Sequence, residues 1–476
     1  MEVLNFIDGN FSSSKSETWI NNINPATNQI IGKVSKSRVE DVEIAVQAAK
    51  KALPAWRALS TQERAQYLLH LSTKIEENLN DLALLETRDT GKPIHTSKNI
   101  DIPRSAKNLQ FFAKFASEQR GEEFHGEGLY NFVNRSPIGV VGCISPWNLP
   151  LYLFTWKIAP ALVAGNTVIA KPSEFTPTTA YMLSKYCQEI GLPQGVLNVV
   201  HGLGPEVGEA IVNHPQVKAI SFTGSSRVGK IIAKSCGNQM KKVSLELGGK
   251  NPFIITENAD INEASSTAMR AAFTNQGQVC LCGSRIYIHK SKYNEVRNLL
   301  LEKLTKLVPS SPEEETSRFG SLTSKEHFNK VSTYIDLAKK DSTIIFHQSK
   351  NSMNTGNFIA PTILENVPPD HVINQEEIFG PIATIQPYED EGELIALANN
   401  TQYGLCASVF TKNKTQAKRL AYKIETGIVW INSWLARDLR TPFGGVKASG
   451  FGREGGNYAL NFFTEPKNIC FPEEDQ

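Results

Sequence analysis

Cys280 stands in Gln276-Gly277-Gln278-Val279-Cys280-Leu281-Cys282-Gly283-Ser284-Arg285, a polar segment punctuated by glycine. Buried structural cysteines usually sit in apolar runs, so this placement points to a reactive thiol. Upstream, Leu245-Glu246-Leu247-Gly248-Gly249-Lys250 sets a carboxylate between two leucines. Desolvation by such neighbours would raise its pKa toward neutrality, where a carboxylate serves as a general base. Gly248 and Gly249 would allow close backbone approach without a Cβ clash. A thiol and a base in one pocket define covalent catalysis. If the two meet, the chain is an enzyme that forms a thioester. Cys282 is expected only to pack nearby.

Residues so far apart in sequence meet only if a larger fold brings them together. The chain has 476 residues, more than one hydrophobic core usually holds, so two large domains are expected. A hydrophobic fraction of 40% and a charged fraction of 21% are ordinary for a globular protein. Lys and Arg number 50 against 48 Asp and Glu, so no basic excess calls for nucleic acid. No basic cluster flanks an apolar helix, so no membrane surface is implied either. The 7 cysteines are odd in number and irregularly spaced, which argues for a reducing, cytoplasmic setting rather than a disulfide framework. Cys280 and Cys282 have no second ligand pair at suitable spacing, so no metal is expected. The N-terminus shows no secretory signal. Ser136 to Trp156 is uncharged and long enough to span a bilayer, but its prolines, glycines and Asn148 suit a strand, a loop and a helix start better.

Asp8-Gly9 reads as a hairpin turn. Ser37-Arg38-Val39-Glu40 fits a capping box, with Val42, Ala45, Val46, Ala49 and Leu53 on one face of the helix behind it and Pro54 at its end. After Gly139 short strands are expected at 140–144, 167–170, 196–200 and 219–222, with helices between them such as 178–189 and 205–213. That alternation predicts a parallel α/β sheet with ligands at the C-terminal ends of its strands. A second alternation begins near Asn251, with strands at 253–255, 285–288, 343–347, 382–388 and 427–431. The domain boundary is placed at 246–250, and the tail 472–476 is expected to fray.

Further strings join the first two in order along the chain: Pro146-Trp147-Asn148-Leu149-Pro150, Lys171-Pro172-Ser173-Glu174, Phe222-Thr223-Gly224-Ser225, Glu376-Glu377-Ile378-Phe379-Gly380-Pro381 and Pro442-Phe443-Gly444-Gly445. Together they closely resemble the NAD(P)-dependent aldehyde dehydrogenase superfamily over nearly the whole chain. The resemblance implies a Rossmann-type NAD domain (1–120 and 139–246), an α/β catalytic domain (247–449), and a β-ribbon oligomerisation arm (121–138) with a C-terminal strand (450–476). It also implies a homodimer or homotetramer. Cys280 corresponds to the family's nucleophile, Glu246 to its base, and Asn148 to the oxyanion donor beside the Cys280 N–H. Lys171, Ser173 and Glu174 would face the adenosine ribose. Glu174 would repel a 2′-phosphate, which favours NAD over NADP. Gly224 and Ser225 would meet the pyrophosphate at a helix start, although the usual three-glycine spacing is missing. Glu377 and Phe379 would hold the nicotinamide half, with Trp147 lining the same cleft.

Two strings resemble a narrower branch, the 2-aminomuconic and 2-hydroxymuconic semialdehyde dehydrogenases of aromatic and tryptophan breakdown. They are Asp101-Ile102-Pro103-Arg104 and Arg437-Asp438-Leu439-Arg440-Thr441-Pro442. Substrates of that branch carry carboxylate, which the planar arginine fork binds through two hydrogen bonds. Arg104 and Arg440 are taken as that clamp, with Arg437 paired to Asp438 or facing solvent. The alternatives are a broader enzyme for aliphatic, retinal or betaine aldehydes, the last disfavoured beside two cations, a cofactor-free thiol hydrolase, and a non-catalytic protein on the same fold. The sequence does not separate the amino from the hydroxy substrate.

Overall fold

A computed structural model describes residues 1–340, 344–347, 353 and 355–472. The tail beyond 472 lies outside the described residues, as does Thr343 of the strand expected at 343–347. The hairpin at Asp8-Gly9 forms, pairing Asn5–Ile7 with Asn10–Ser12. The first helix, α1 (Val39–Ala58), starts one residue later than expected. Its cap uses Asp41, which accepts from the Arg38 N–H at 3.0 Å, and not Glu40. Ser37 instead bonds Asn5. Nor does α1 end at Pro54. It continues one turn further, where Trp56 is buried with its indole N–H on the Leu162 carbonyl at 3.1 Å.

Three more helices bear on the site: α2 (Leu79–Thr90), α3 (Ile102–Ser117) and α4 (Pro150–Val163). They cover one face of a sheet built on five parallel strands: β1 (Val140–Ile144), β2 (Thr167–Lys171), β3 (Leu197–Val199), β4 (Val217–Thr223) and β5 (Lys242–Glu246). Their order is β5-β4-β1-β2-β3, with the chain turning back at β1. Every residue of β1 and β2 is buried, as befits strands covered on both faces. Four of these strands are legible in the sequence. The fifth, β5, is half polar at its start and escapes the pattern, yet it carries Glu246 at its end.

A second parallel sheet holds β6 (Pro252–Ile255), β7 (Arg285–His289), β8 (Thr362–Glu365), β9 (Ile382–Tyr388), β10 (Cys406–Phe410) and β11 (Ile428–Ile431). Its order is β8-β9-β7-β6-β10-β11, and Ile344–His347 pairs antiparallel on the outer edge. The third layer is a ribbon of Glu122–Gly126, Leu129–Pro137 and Thr464–Pro472, antiparallel throughout. It begins later at its C-terminal side than expected. Gly450–Phe451 pairs with the end of β5, and the helix Gly456–Phe462 packs Leu460 into the first core, so 450–463 sits with the first sheet. Among the described residues no helix is long and apolar enough to cross a membrane.

Candidate active site

The Cys280 loop leaves the helix Ile261–Phe273 through three residues of positive φ: Asn275 (52°), Gln276 (56°) and Gly277 (75°). At Gly277 a Cβ would lie 2.2 Å from the Gly380 carbonyl oxygen, so only glycine fits. Asn251 Nδ2 then pins the loop by donating to the carbonyls of Cys280 (2.7 Å) and Cys282 (3.0 Å). The Cys280 thiol is half-buried. Burial, then the carboxylates of Glu377 and Glu246, push its pKa above the ordinary thiol range, so the resting form is the neutral thiol.

Glu246 is buried, and neither carboxylate oxygen has a hydrogen-bond partner among the described residues. Desolvation, and next the charge of Glu454, hold its pKa well above the usual carboxylate range. Sequence reasoning missed Glu454 and its partner Lys157, whose Nζ donates to Glu454 at 2.8 Å and to Ser221 Oγ at 3.1 Å. Nothing in their local strings marks them, because they are almost 300 residues apart. Asn148 lies in the loop after β1, buried, with Nδ2 donating to the Gln278 carbonyl at 2.9 Å. That bond uses one of two amide hydrogens and leaves the other for an oxyanion at Cys280.

One cavity of about 160 Å³ collects Trp147, Asn148, Gly224, Ser225, Cys280, Glu377 and Phe379, together with Thr223 and His327. Trp147 and Phe379 meet edge to face at 5.2 Å. Phe379 has a φ of 61°, and His327 Nε2 donates to its carbonyl at 2.7 Å. Burial lowers the His327 pKa to about 4, so it stays neutral. The cavity suits the nicotinamide half of a dinucleotide. The Thr223 hydroxyl is buried there without a hydrogen-bond partner among the described residues, and Gly248 has Glu377 Oε2 where a Cβ would stand. A second cavity of about 650 Å³ opens at the C-terminal ends of β1 and β4, lined by Ile144, Phe222, Gly204 and Arg227. At its margin Glu174 receives Lys171 Nζ at 3.0 Å and the Gly204 N–H at 3.4 Å. Ser173 Oγ is turned to the Phe175 N–H.

The arginines depart from expectation. Arg104, Arg437 and Arg440 all line a cleft of about 600 Å³ between α3 and the loop 437–440. Arg440 is exposed, and its guanidinium is held by both oxygens of Asp438. Asp438 also accepts the Arg440 backbone N–H at 3.0 Å, a local Asx turn that captures the side chain two residues on. Arg437, expected to pair with Asp438 or face solvent, turns inward. Its guanidinium sits 3.9 Å from the Phe443 ring centre and 4.2 Å from that of Trp156. Nη1 donates to Tyr152 Oη at 2.9 Å, while Nη2 is buried without a partner among the described residues. Its charge favours the ionised forms of both Cys280 and Glu246. Arg104 lies 5.9 Å over the Tyr152 ring.

A thiol-bearing loop and a crevice at C-terminal strand ends face each other between two parallel sheets, an arrangement that suits a dehydrogenase. The sequence profile of the aldehyde dehydrogenase family matches residues 11–469, and the chain belongs to that family of NAD-dependent oxidoreductases. It is 43% identical over 475 residues to a 2-aminomuconic semialdehyde dehydrogenase of Danio rerio, covering 98% of this chain and 97% of the relative. A 2-hydroxymuconic semialdehyde dehydrogenase of Pseudomonas sp. (strain CF600) is 41% identical over 481 residues, covering 98% and 99%. The solved NAD+ complex of an aldehyde dehydrogenase from Bacillus cereus superposes with a TM-score of 0.97 at 37% identity, covering 100% of this chain and 97% of that one.

Proposed function

We propose that this chain oxidises an aldehyde that carries a carboxylate, of the type of 2-aminomuconic or 2-hydroxymuconic 6-semialdehyde, to the corresponding acid. The observation that carries this reading is Arg437: a half-buried side chain lining the same cleft as Arg104, whose Nη2 is buried with no hydrogen-bond partner among the described residues. A buried guanidinium N–H without an acceptor is costly, and a substrate carboxylate would relieve that cost through charge-assisted hydrogen bonds. Arg437 therefore replaces Arg440 as the partner of Arg104 in the clamp. Relatives named for both semialdehydes support the same substrate class. The clamp would bind the distal carboxylate and direct the aldehyde carbon inward to Cys280.

Glu246, freed of its proton, takes the thiol proton, and the thiolate adds to the aldehyde. Asn148 Nδ2 and the Cys280 N–H stabilise the oxyanion of the thiohemiacetal. NAD, when bound, supplies the hydride acceptor. Trp147, Thr223, Glu377 and Phe379 would hold its nicotinamide half, and Gly224 and Ser225 the pyrophosphate. Lys171, Ser173 and Glu174 would hold the adenosine ribose. Once it has released the thiol proton to solvent, Glu246 activates the water that cleaves the Cys280 thioester. Seven free thiols suit a cytoplasmic enzyme. The aromatic stack of half-buried Tyr130 and Phe132 with exposed Phe471 on the ribbon suits a homodimer or homotetramer.

The test compares kcat/KM for 2-hydroxymuconic semialdehyde with that for hexanal in Arg104→Ala, Arg437→Ala and Arg440→Ala. The first two should each lose roughly tenfold or more on the semialdehyde alone, the worth of a charged hydrogen bond. Arg440→Ala should be near wild type. Equal losses on both aldehydes, or none, would remove the clamp.

A further inference from the structure

One buried cluster has no part in the chemistry described so far, yet it touches the oxyanion loop directly. Lys92 follows the C-cap glycine of α2 and is fully buried. Its ammonium has three N–H groups and three acceptors: Glu86 Oε1 at 3.3 Å, Asp101 Oδ2, and the main-chain carbonyl of Asn148 at 2.9 Å. Glu86 and Asp101 are equally buried. Glu86 Oε2 also accepts the Leu151 N–H at 3.4 Å, at the start of α4. The segment 148–151 is thus gripped at both ends by one ion cluster. Asn275 Nδ2 adds a second donor to the Asn148 carbonyl at 3.0 Å, from the strained turn before Cys280. Asp101 closes a π-helical turn, Ser97–Asp101, that runs directly into α3 and its Arg104.

Three ionisable side chains without solvent are an expensive way to fill space, since apolar residues of similar volume pack there at least as well. Their yield is direction. The acceptor that Lys92 fixes belongs to the peptide carrying the Asn148 side chain, and a small error in the aim of an oxyanion donor is costly. We propose that Lys92 is a positioning residue for the oxyanion hole: held by Glu86 and Asp101, it fixes the Asn148 carbonyl and so sets the direction of the Asn148 amide toward Cys280. This rests on the reading of Asn148 as the oxyanion donor.

The experiment is a double-mutant cycle on the single-turnover rate of NADH formation, run with hexanal and with 2-hydroxymuconic semialdehyde. The enzymes are wild type, Lys92→Met, Asn148→Ala and the double variant, each with its Tm and its NAD affinity from fluorescence quenching. Asn148→Ala should slow the rate by roughly 10²–10³, and Lys92→Met on the order of tenfold to a hundredfold, with NAD affinity retained. In the Asn148→Ala background the Lys92 change should add less than about a twofold loss, because both remove the same interaction. A merely structural lysine would give losses that multiply, and that result overturns the proposal, as does an unslowed Lys92→Met. If Lys92→Met does not fold, Asp101→Asn, which loosens the grip on Lys92 while keeping its charge, enters the same cycle with the same criterion. An unchanged rate in Asn148→Ala would overturn the oxyanion assignment and this inference with it, whereas multiplying losses beside a slow Asn148→Ala overturn the inference alone.

Discussion

The two parallel sheets face the active cleft with opposite ends. From the first, residues arrive just beyond the C-terminal ends of strands: Asn148 after β1, Lys171 and Glu174 at and after β2, Gly224 after β4, and Glu246 closing β5. From the second they arrive before the N-terminal ends: Gly248 ahead of β6, Cys280 ahead of β7, and Glu377 and Phe379 ahead of β9. The backbones differ as well. Of the non-glycine residues with positive φ, Asn275, Gln276 and Phe379 lie on the second side, and none falls in the first sheet's loops at 145–149, 172–175 or 223–227. The side that would bind the pyrophosphate and adenosine half of the cofactor uses relaxed turns, while the side bearing Cys280 and Phe379 stores strain. Backbone strain gathers where a side chain must be aimed against local preference. Ligand binding at C-terminal strand ends is the ordinary rule for open parallel sheets, and only the first sheet follows it.

Changes on the two sides should therefore fail differently. The largest effect is expected on the strained side. Cys280→Ala should lower NADH formation by on the order of 10⁴ or more while NAD still quenches protein fluorescence, since the nucleophile is lost and the first sheet is untouched. Residual turnover near wild type would break the contrast. Glu246→Gln, at the end of the relaxed sheet, should cost roughly 10²–10³. Because burial holds this carboxyl protonated, wild-type activity should climb as pH rises above the usual carboxylate range, and the Gln variant should lose that rise.

The same shift fixes the sign of its stability effect. A carboxyl whose native pKa is raised stabilises the fold while protonated, and that contribution is lost as pH rises through the native value. Glu246→Gln should thus match wild type in Tm below about pH 4, where both states carry the proton, and exceed it at neutral and alkaline pH. A Tm difference independent of pH would contradict the buried, unpartnered carboxyl. The smallest effect belongs to the relaxed side. Glu174→Gln should raise the NADP to NAD ratio of kcat/KM by roughly tenfold, by removing one like charge, with little change in turnover on NAD. A loss of kcat with an unchanged ratio would place Glu174 elsewhere than at the ribose.

Much of this plan could be read from the chain, and the failures have physical reasons. Strands covered on both faces read as apolar runs, so β1, β2 and β9 are visible in the sequence. The strings of β8 and β10 carry no such signal, although both strands are largely buried. The strings around Cys280, Glu246 and Asn148 stand out because their residue types do not suit their surroundings. Arg437 and Arg440 are not separable that way. Two arginines three apart look alike until the backbone turn at Asp438 decides which one is captured. Lys92 sits beside a glycine and a proline and reads as a turn lysine. Nothing local marks its partner Asp101 as buried, because that burial depends on how α2, α3 and α4 pack. Pro54 shows the converse, a strong local stop signal overridden by the anchoring of Trp56 in the core.

The segment joining the two sheets, Leu247 to Asn251, also decides how the protein could be divided. It runs from the proposed base to the start of β6, with Gly249 so close to the Cys280 carbonyl that a Cβ would lie 2.8 Å from it. The base travels with one half of the polypeptide and the nucleophile with the other. A split reporter cut within this segment would thus leave two pieces that each hold an incomplete reaction, the second keeping the 450–463 segment that completes the first sheet. Its signal would read reassembly itself, with no background turnover from either fragment.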